Sequence, residues 1–263
     1  MDINSYKKSN FSSGFFFLSK EQKEALSIIY AFCRYADDAV DEHYDNAPAL
    51  LSHLRAELTM ADSDFSIQLA EVIEKYDIPK EYFFDLIDGV ESDLRKSVCF
   101  ETFNNLEWYI YRVAGVVGLM CIHIFGFTNP QTKKYATTLA KAVQMTNILR
   151  DIYQDAQMGR LYLPLEDLEK FQVPVEDIFE ANNTPEVKNL IAFERQRTAD
   201  FYAQAKALLP KQDFKFMLAA RIMGNIYEAI FHKMKAGIIF KKKIKLSKLT
   251  KLFIVFKTWR NKL

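Results

Sequence analysis

Glycine and proline are scarce in this chain, at 8 and 7 of 263 residues, and long segments contain neither. Turn-rich sheet folds draw on both at every reversal, so their scarcity argues for helices. The fold class expected is all-α. Cysteine is also rare. Cys33, Cys99 and Cys121 show no CxxC spacing, and the four histidines, His43, His53, His123 and His232, are scattered, which argues against a zinc centre. No GxG occurs among the glycines, so the dinucleotide-binding fingerprint of Rossmann folds is missing. A net charge of only +1 gives no whole-molecule field for nucleic acid. Hydrophobic runs are short. The longest, Val116 to Phe127, contains His123 and falls below the roughly 20 residues that a membrane-crossing helix needs. No transmembrane helix is expected. Lys7 and Lys8 followed by a broken aromatic stretch do not form a secretory signal, so a cytoplasmic location is expected.

What is plentiful is apolar and aromatic. Apolar residues make up 49% and aromatics 14%, with 22 Phe and 13 Tyr, a balance that suggests an oily interior or cavity. The length suits one core, with residues 1–263 as a single domain. Periodicity and breakers place helices near residues 20–43, 48–61, 65–76, 80–96, 104–125, 129–157, 184–208, 212–235 and 247–260. Pro48, Pro79, Pro130 and Pro185 lie near helix starts, with Asn129 and Thr184 as N-caps. The segment Gly159 to Val175, holding Pro164 and Pro174, is the clearest break. From Lys235 to Leu263 the chain carries ten Lys or Arg residues and no acid, interleaved with Ile, Leu, Phe and Trp259. Such a segment can rest on an anionic membrane surface, or form a last helix that packs its apolar side on the core and solvates its lysines.

Two aspartate clusters on expected helices are the most informative feature: Asp37-Asp38-Ala39-Val40-Asp41 and Asp151-Ile152-Tyr153-Gln154-Asp155. In each, the outer carboxylates are four residues apart and share one helix face. Like charges at that spacing cost an isolated helix about 0.2 to 0.5 kcal/mol per pair, so local stability does not account for them. A cation would reverse the sign. Arg34, Asp37, Asp38 and Asp41 form one polar stripe on an otherwise apolar helix, and Gln144, Asn147, Asp151 and Asp155 form another with Arg150 beside it. Solvated helix faces with incidental arginine pairs would show the same spacing. Carboxylate and amide oxygens without thiol or imidazole select hard cations, and magnesium fills its shell with substrate phosphate. Arg34 and Arg150 suit phosphate oxygens. The pattern therefore points to a magnesium-bridged diphosphate held between two helices, above an aromatic-lined cavity for a hydrocarbon tail. A further acidic run, Asp85, Asp88, Glu91 and Asp93, reads as a solvated or structural helix face.

The segments Tyr30 to Glu42 (YAFCRYADDAVDE) and Gln144 to Asp155 (QMTNILRDIYQD), followed by Gly159-Arg160-Leu161-Tyr162-Leu163-Pro164, resemble the two signatures of the squalene and phytoene synthase family. The resemblance extends to Ser9-Asn10-Phe11, to Tyr109 through Gly118, and to Asn225-Ile226-Tyr227 with Lys243. It implies an all-helical isoprenoid synthase fold around a central cavity. It further implies that Asp37, Asp41, Asn147, Asp151 and Asp155, with Asp38 beside them, hold magnesium. Arg34, Gln144, Arg150, Tyr109 and Tyr227 would contact diphosphates. Phe11, Ala114, Val117, Gly118 and Leu163 would line the channel for prenyl chains, with Tyr30 and Phe11 sheltering a cation. At the late basic position the family usually has Arg where this chain has Lys243, which lacks bidentate geometry.

The implied reaction is head-to-head condensation of two prenyl diphosphates. Loss of diphosphate leaves an allylic cation, the double bond of a second molecule attacks it, and proton loss closes a cyclopropane. In detail the chain is most similar to presqualene diphosphate synthases acting on farnesyl diphosphate, with phytoene synthases acting on geranylgeranyl diphosphate as the alternative. Other pathway enzymes would be its functional partners. Two readings from other classes fit part of the pattern. A silent membrane-surface or assembly subunit would be expected to lose the aspartates, and a hydrolase would admit water to quench the cation.

Overall fold

The computed structural model describes residues 16–41, 44–94, 98–234, 238–239 and 244–261. The chain is helical almost throughout, as its scarcity of breakers leads one to expect. Helix α1 (Lys20–Asp41) opens on a capping box. Ser19 Oγ accepts from the Gln22 amide and Gln22 Oε1 accepts from the Ser19 amide, both at 3.1 Å, so two orphan donors of the first turn are satisfied. Its apolar face, including Leu26, Ile29, Phe32 and Val40, is buried. Helices α2 (Ala47–Glu57), α3 (Asp64–Lys75) and α4 (Glu81–Glu91) pack against α1. Pro48 sits in the first turn of α2, and α3 opens on a Ser63–Ser66 capping box.

A single helical run follows in three parts: α5 (Phe103–Ile110), a wider π-turn (Tyr111–Gly115) and α6 (Val116–Phe125). Helix α4 comes very close to the π-turn. A Cβ at Gly89 would lie 2.5 Å from the Arg112 Cβ, so only glycine fits there. By length and composition alone the whole run Phe103–Phe125 is long and apolar enough to cross a membrane, a test that a core helix also passes. The π-turn carries the helix on without a break, and half of its most apolar stretch is buried inside the fold.

Helix α7 (Gln131–Gln157) runs through the middle, packed against α5, the π-turn, α6, α10 (Pro185–Leu208) and α11 (Leu218–Lys233). The expected break after Gly159 holds a short strand β2 (Arg160–Leu161), α8 (Leu165–Lys170) and α9 (Val175–Phe179). Strand β2 pairs in parallel with β1 (Val98–Cys99), Val98 opposite Arg160. Thr184 caps α10 as expected, accepting from the Val187 amide. The N-cap of α7 is Pro130, not Asn129, whose Oδ1 accepts instead from the Gln131 amide at 2.9 Å.

The helix expected from residue 212 begins only at Leu218, after a tight turn at Lys211–Asp213. The buried Asp213 carboxylate accepts from the amides of Thr128 and Asn129 and from the Thr128 and Thr132 hydroxyls, tying the α6–α7 loop to that turn. The last helix, α12 (Lys248–Arg260), rests on α11, where Asn225 Nδ2 donates to Thr258 Oγ1 at 2.8 Å. The bland expectation for this segment is only half right. Ile254 and Val255 pack on the core, whereas Leu249, Leu252, Phe253 and Phe256 are exposed, Leu249 by 79%.

Candidate active site

Helices α1 and α7 face one polar cleft of about 530 Å³. From α1 come Arg34, Asp37 and Asp41, and from α7 come Gln144, Asn147, Arg150, Asp151 and Asp155. The four-residue spacing does what the helical period requires, presenting Asp37 with Asp41 and Asp151 with Asp155 on the same wall. Tyr109 of α5 and Tyr227 of α11 close the cleft. An apolar cavity of about 270 Å³ adjoins it, lined by α1, the π-turn, α6, α7 and α11. Ala114, Val117 and Gly118 lie on its wall as expected. The π-turn places Ala114 and Val113 there, and Gly118 lets α6 approach α7 so closely that a Cβ would stand 3.1 Å from the Ala136 carbonyl oxygen. Tyr30, Arg34, Asp37, Gln144, Asn147 and Tyr227 line both spaces and form the doorway between charge and grease.

Two expected residues are placed elsewhere and two are not described. Asp38 does not line the cleft. One position on from Asp37, it is turned about 100° around the helix and is held by Arg34 Nη2 at 2.5 Å. Leu163 is not on the cavity wall either. It is fully buried beneath α7, beside Ile148, Ile152 and Ile178, because the chain turns inward from β2 before Pro164. Phe11 and Lys243 lie outside the described residues, as does the Ser9–Phe11 segment.

The cleft also contains residues that had no assigned role. Asp93, read as part of a solvated or structural face, is buried in the cleft wall. The Tyr109 hydroxyl donates to its Oδ2 at 2.8 Å and the Tyr162 hydroxyl reaches its Oδ1 at 3.4 Å. Its neighbours in the run behave as expected, with Asp85 near Arg112 and with Asp88 and Glu91 on Arg55. Arg160 enters from β2 and donates to Asp41 Oδ1 at 2.8 Å. Both Arg160 and Tyr162 stand in the Gly159–Pro164 motif, which was the available signal.

Electrostatics mark the cleft as strained. Although Asp37 is accessible, its exposed surface faces the cleft and cavity. Poor hydration, followed by the charge of Asp41, pushes its carboxyl up to about 7; Arg34 opposes this, and Asp38 and Asp93 add to it. Burial pushes Asp93 up to about 6, against the donating Tyr109 and the charge of Arg160. Cys33 and Cys121, both on the cavity wall, have thiols pushed up by burial, Cys121 to about 12, so they are inert apolar lining.

A hard cation fits the donor chemistry. Every candidate ligand is a carboxylate or amide oxygen, and Asn147 Oδ1 is buried without a hydrogen-bond partner while its Nδ2 donates to Gln144. Among the described residues, however, no three His, Cys, Asp or Glu side chains converge into a ready-made metal centre. Arg150 accounts for part of this, since its Nε and Nη2 grip the two oxygens of Asp151 at 2.8 and 2.5 Å. The arrangement can hold an anion on its arginines and share a cation between that anion and the aspartates.

The sequence model of the squalene/phytoene synthases matches residues 5–250. Over 241 residues the chain is 31% identical to a presqualene diphosphate synthase of Zymomonas mobilis, covering 89% of this chain and 82% of that one. It is also 31% identical over 252 residues to a phytoene synthase of Mycobacterium bovis, covering 92% and 83%. A solved dehydrosqualene synthase with bound ligand superposes with a TM-score of 0.84 at 28% identity, over 98% of this chain and 93% of that one. The squalene synthase HpnC from Alicyclobacillus acidocaldarius gives 0.75 at 25%, over 98% and 90%. Paired aspartate helices around an apolar cavity, the matched signatures and the shared isoprenoid synthase fold agree: this chain belongs to the squalene/phytoene synthase family, the prenyltransferases that join prenyl diphosphates head to head.

Proposed function

We propose that the chain condenses two molecules of farnesyl diphosphate into presqualene diphosphate with release of one diphosphate, and that it requires magnesium. The observation that carries this reading is the doorway, where six of the described residues border both a charged cleft and an apolar cavity. A substrate with a diphosphate head and a hydrocarbon tail is the ligand that suits both spaces at once. Asp37, Asp41, Asn147, Asp151 and Asp155 would hold the cation. Bound there, magnesium supplies positive charge to the departing diphosphate.

Arg34, Arg150 and Arg160 bind phosphate oxygens and keep the leaving group in place. The C–O bond of the first substrate breaks and its electron pair leaves with the diphosphate. The allylic cation left behind is kept from water by the cavity wall, with the Tyr30 ring at the doorway. The double bond of the second substrate forms the new carbon–carbon bond, and a proton passes to the released diphosphate as the cyclopropane closes.

A second reading, condensation of geranylgeranyl diphosphate to phytoene, is favoured by the equal identity to a phytoene synthase. Incubation with either substrate and magnesium, without a nicotinamide, tests both. A thirty-carbon cyclopropyl diphosphate supports the first proposal and phytoene the second. Release of diphosphate with only a prenyl alcohol would replace both with a hydrolase.

We further propose that the enzyme works in the cytoplasm with α12 against the inner face of the membrane. Leu249, Leu252, Phe253, Phe256 and Trp259 recur at helical spacing on an exposed face, flanked by Lys245, Lys248, Lys257 and Arg260. Flotation with vesicles containing anionic lipid should weaken on changing Phe253 and Phe256 to Ser. Equal flotation of both proteins would remove the idea.

A further inference from the structure

At the inner end of the apolar cavity one side chain stands between it and a neighbouring recess. Along α7 the cavity-facing positions run from Asn147 at the doorway through Val143 and Ala140 to Leu139 and Ala136. Leu139 is the largest apolar side chain in that row and lies eight residues from Asn147, roughly 12 Å along the axis. It also lines a second recess of about 220 Å³, whose apolar side is formed by Tyr135, Tyr202, Ala205, Leu209 and Phe214 and whose polar side carries Lys206, Arg221, Asn225 and Glu228. Among the described residues, only Leu139 borders both spaces. Behind it stands Gly224 of α11, where an added Cβ would come within 2.9 Å of Leu139 Cδ1 and 3.3 Å of Cδ2. Glycine at 224 is therefore the seat into which the Leu139 side chain fits.

We propose that Leu139, seated on Gly224, is the floor that limits the length of the prenyl tail, and that a tail five carbons longer would extend along the apolar side of the recess behind it once the floor is removed. This rests on the proposed prenyl diphosphate condensation and adds the residue that sets its substrate length. With the floor in place the cavity favours the fifteen-carbon tail. Leu139→Ala removes the partition and joins the two spaces. Gly224→Ala acts in the opposite sense, because the new methyl group pushes the leucine toward the cavity.

The test measures kcat/KM for farnesyl and geranylgeranyl diphosphate on the full chain with magnesium, together with binding of the unreactive thio-linked analogues of both by calorimetry. Leu139→Ala should raise the twenty-to-fifteen-carbon ratio at least about tenfold in both assays, the scale on which an apolar pocket discriminates missing methylenes. Leu139→Val should give an intermediate ratio, and Gly224→Ala should lower it. Leu190→Ala, a fully buried change in α10 that borders neither space, should leave the ratio alone and so reports mere loss of packing. A folded Leu139→Ala or Leu139→Val protein whose ratio stays within about twofold of wild type overturns the floor. Failure of the proposed condensation looks different: the wild type would couple neither substrate, and if it also bound neither analogue both readings would fall together.

Discussion

Replacing Asp37 with Asn should abolish product formation and, in the metal-free protein, raise stability. Desolvation at the cleft wall, followed by the charge of Asp41, pushes the Asp37 carboxyl up to about 7 from an ordinary 3.8. The native state therefore holds this proton more tightly than the unfolded chain does. The cost of the ionised carboxylate is fully present above pH 7, shrinks as pH falls, and is gone below about pH 4. At about 1.36 kcal/mol per pH unit the ceiling is ~4 kcal/mol. The side chain is accessible from the cleft, where water screens it, so we expect about 1 to 2 kcal/mol. Asparagine keeps the shape and removes the charge. Urea unfolding at pH 8 without magnesium should show the Asp37→Asn protein more stable by that amount, and the two proteins should converge at pH 4. A variant less stable than wild type at pH 8, a gap that widens toward acid, or near-normal turnover would refute the reasoning.

Arg150→Ala should release Asp151 from the guanidinium and strengthen binding of magnesium alone by roughly tenfold in calorimetry, while prenyl diphosphate affinity falls by at least as much, given about 1.5 to 3 kcal/mol for each charge-assisted hydrogen bond. Tyr109→Phe removes the 2.8 Å donor from buried Asp93 and should cost about 1 to 3 kcal/mol of stability, read as a lower urea midpoint at unchanged slope. Asp213→Ala should cost about 3 to 4 kcal/mol at pH 7. Burial opposes the Asp213 charge, but donation from Thr132, Asn129 and Thr128 holds its carboxyl below the usual range. Its contribution is therefore present above about pH 4 and is lost as pH falls through the lower native value. The gap between wild type and Asp213→Ala should narrow as pH falls below about 4.

The two aspartate walls were legible because their information is local. A helix converts a spacing of four into a shared face, and the apolar residues around each cluster say which way that face turns. The same rule would have excluded Asp38 had it been applied strictly, since the next residue is rotated off the face. Asp93 and Arg160 were not legible from spacing. They meet the cleft through a tight turn after α4 and a parallel pairing of Val98 with Arg160, contacts between residues far apart in sequence. Leu163 failed for a related reason, because its direction depends on how β2 enters the core. The π-turn was hidden too. Its wider winding goes with the close approach of α4 at Gly89, and no periodic pattern in residues 104–125 announces it.

The arginines explain why the cleft shows matched oxygen donors and yet, among the described residues, no assembled metal centre. Asp41 is paired with Arg160, Asp151 with Arg150 and Asp38 with Arg34, so much of the acidic stripe is neutralised by groups that also suit phosphate. Asp37 stands at the doorway with its charge only partly offset, and its raised carboxyl records that imbalance. A diphosphate would compete for the arginines and leave carboxylate oxygens to a cation, so each ligand prepares the site for the other. On the proposed function, such coupling ties assembly of the positive field to the presence of a leaving group, when the cavity already holds a tail that excludes water. On that reading, the stability lost by crowding carboxylates into the cleft would be recovered in the liganded state, as expected of a surface shaped for chemistry and not for folding.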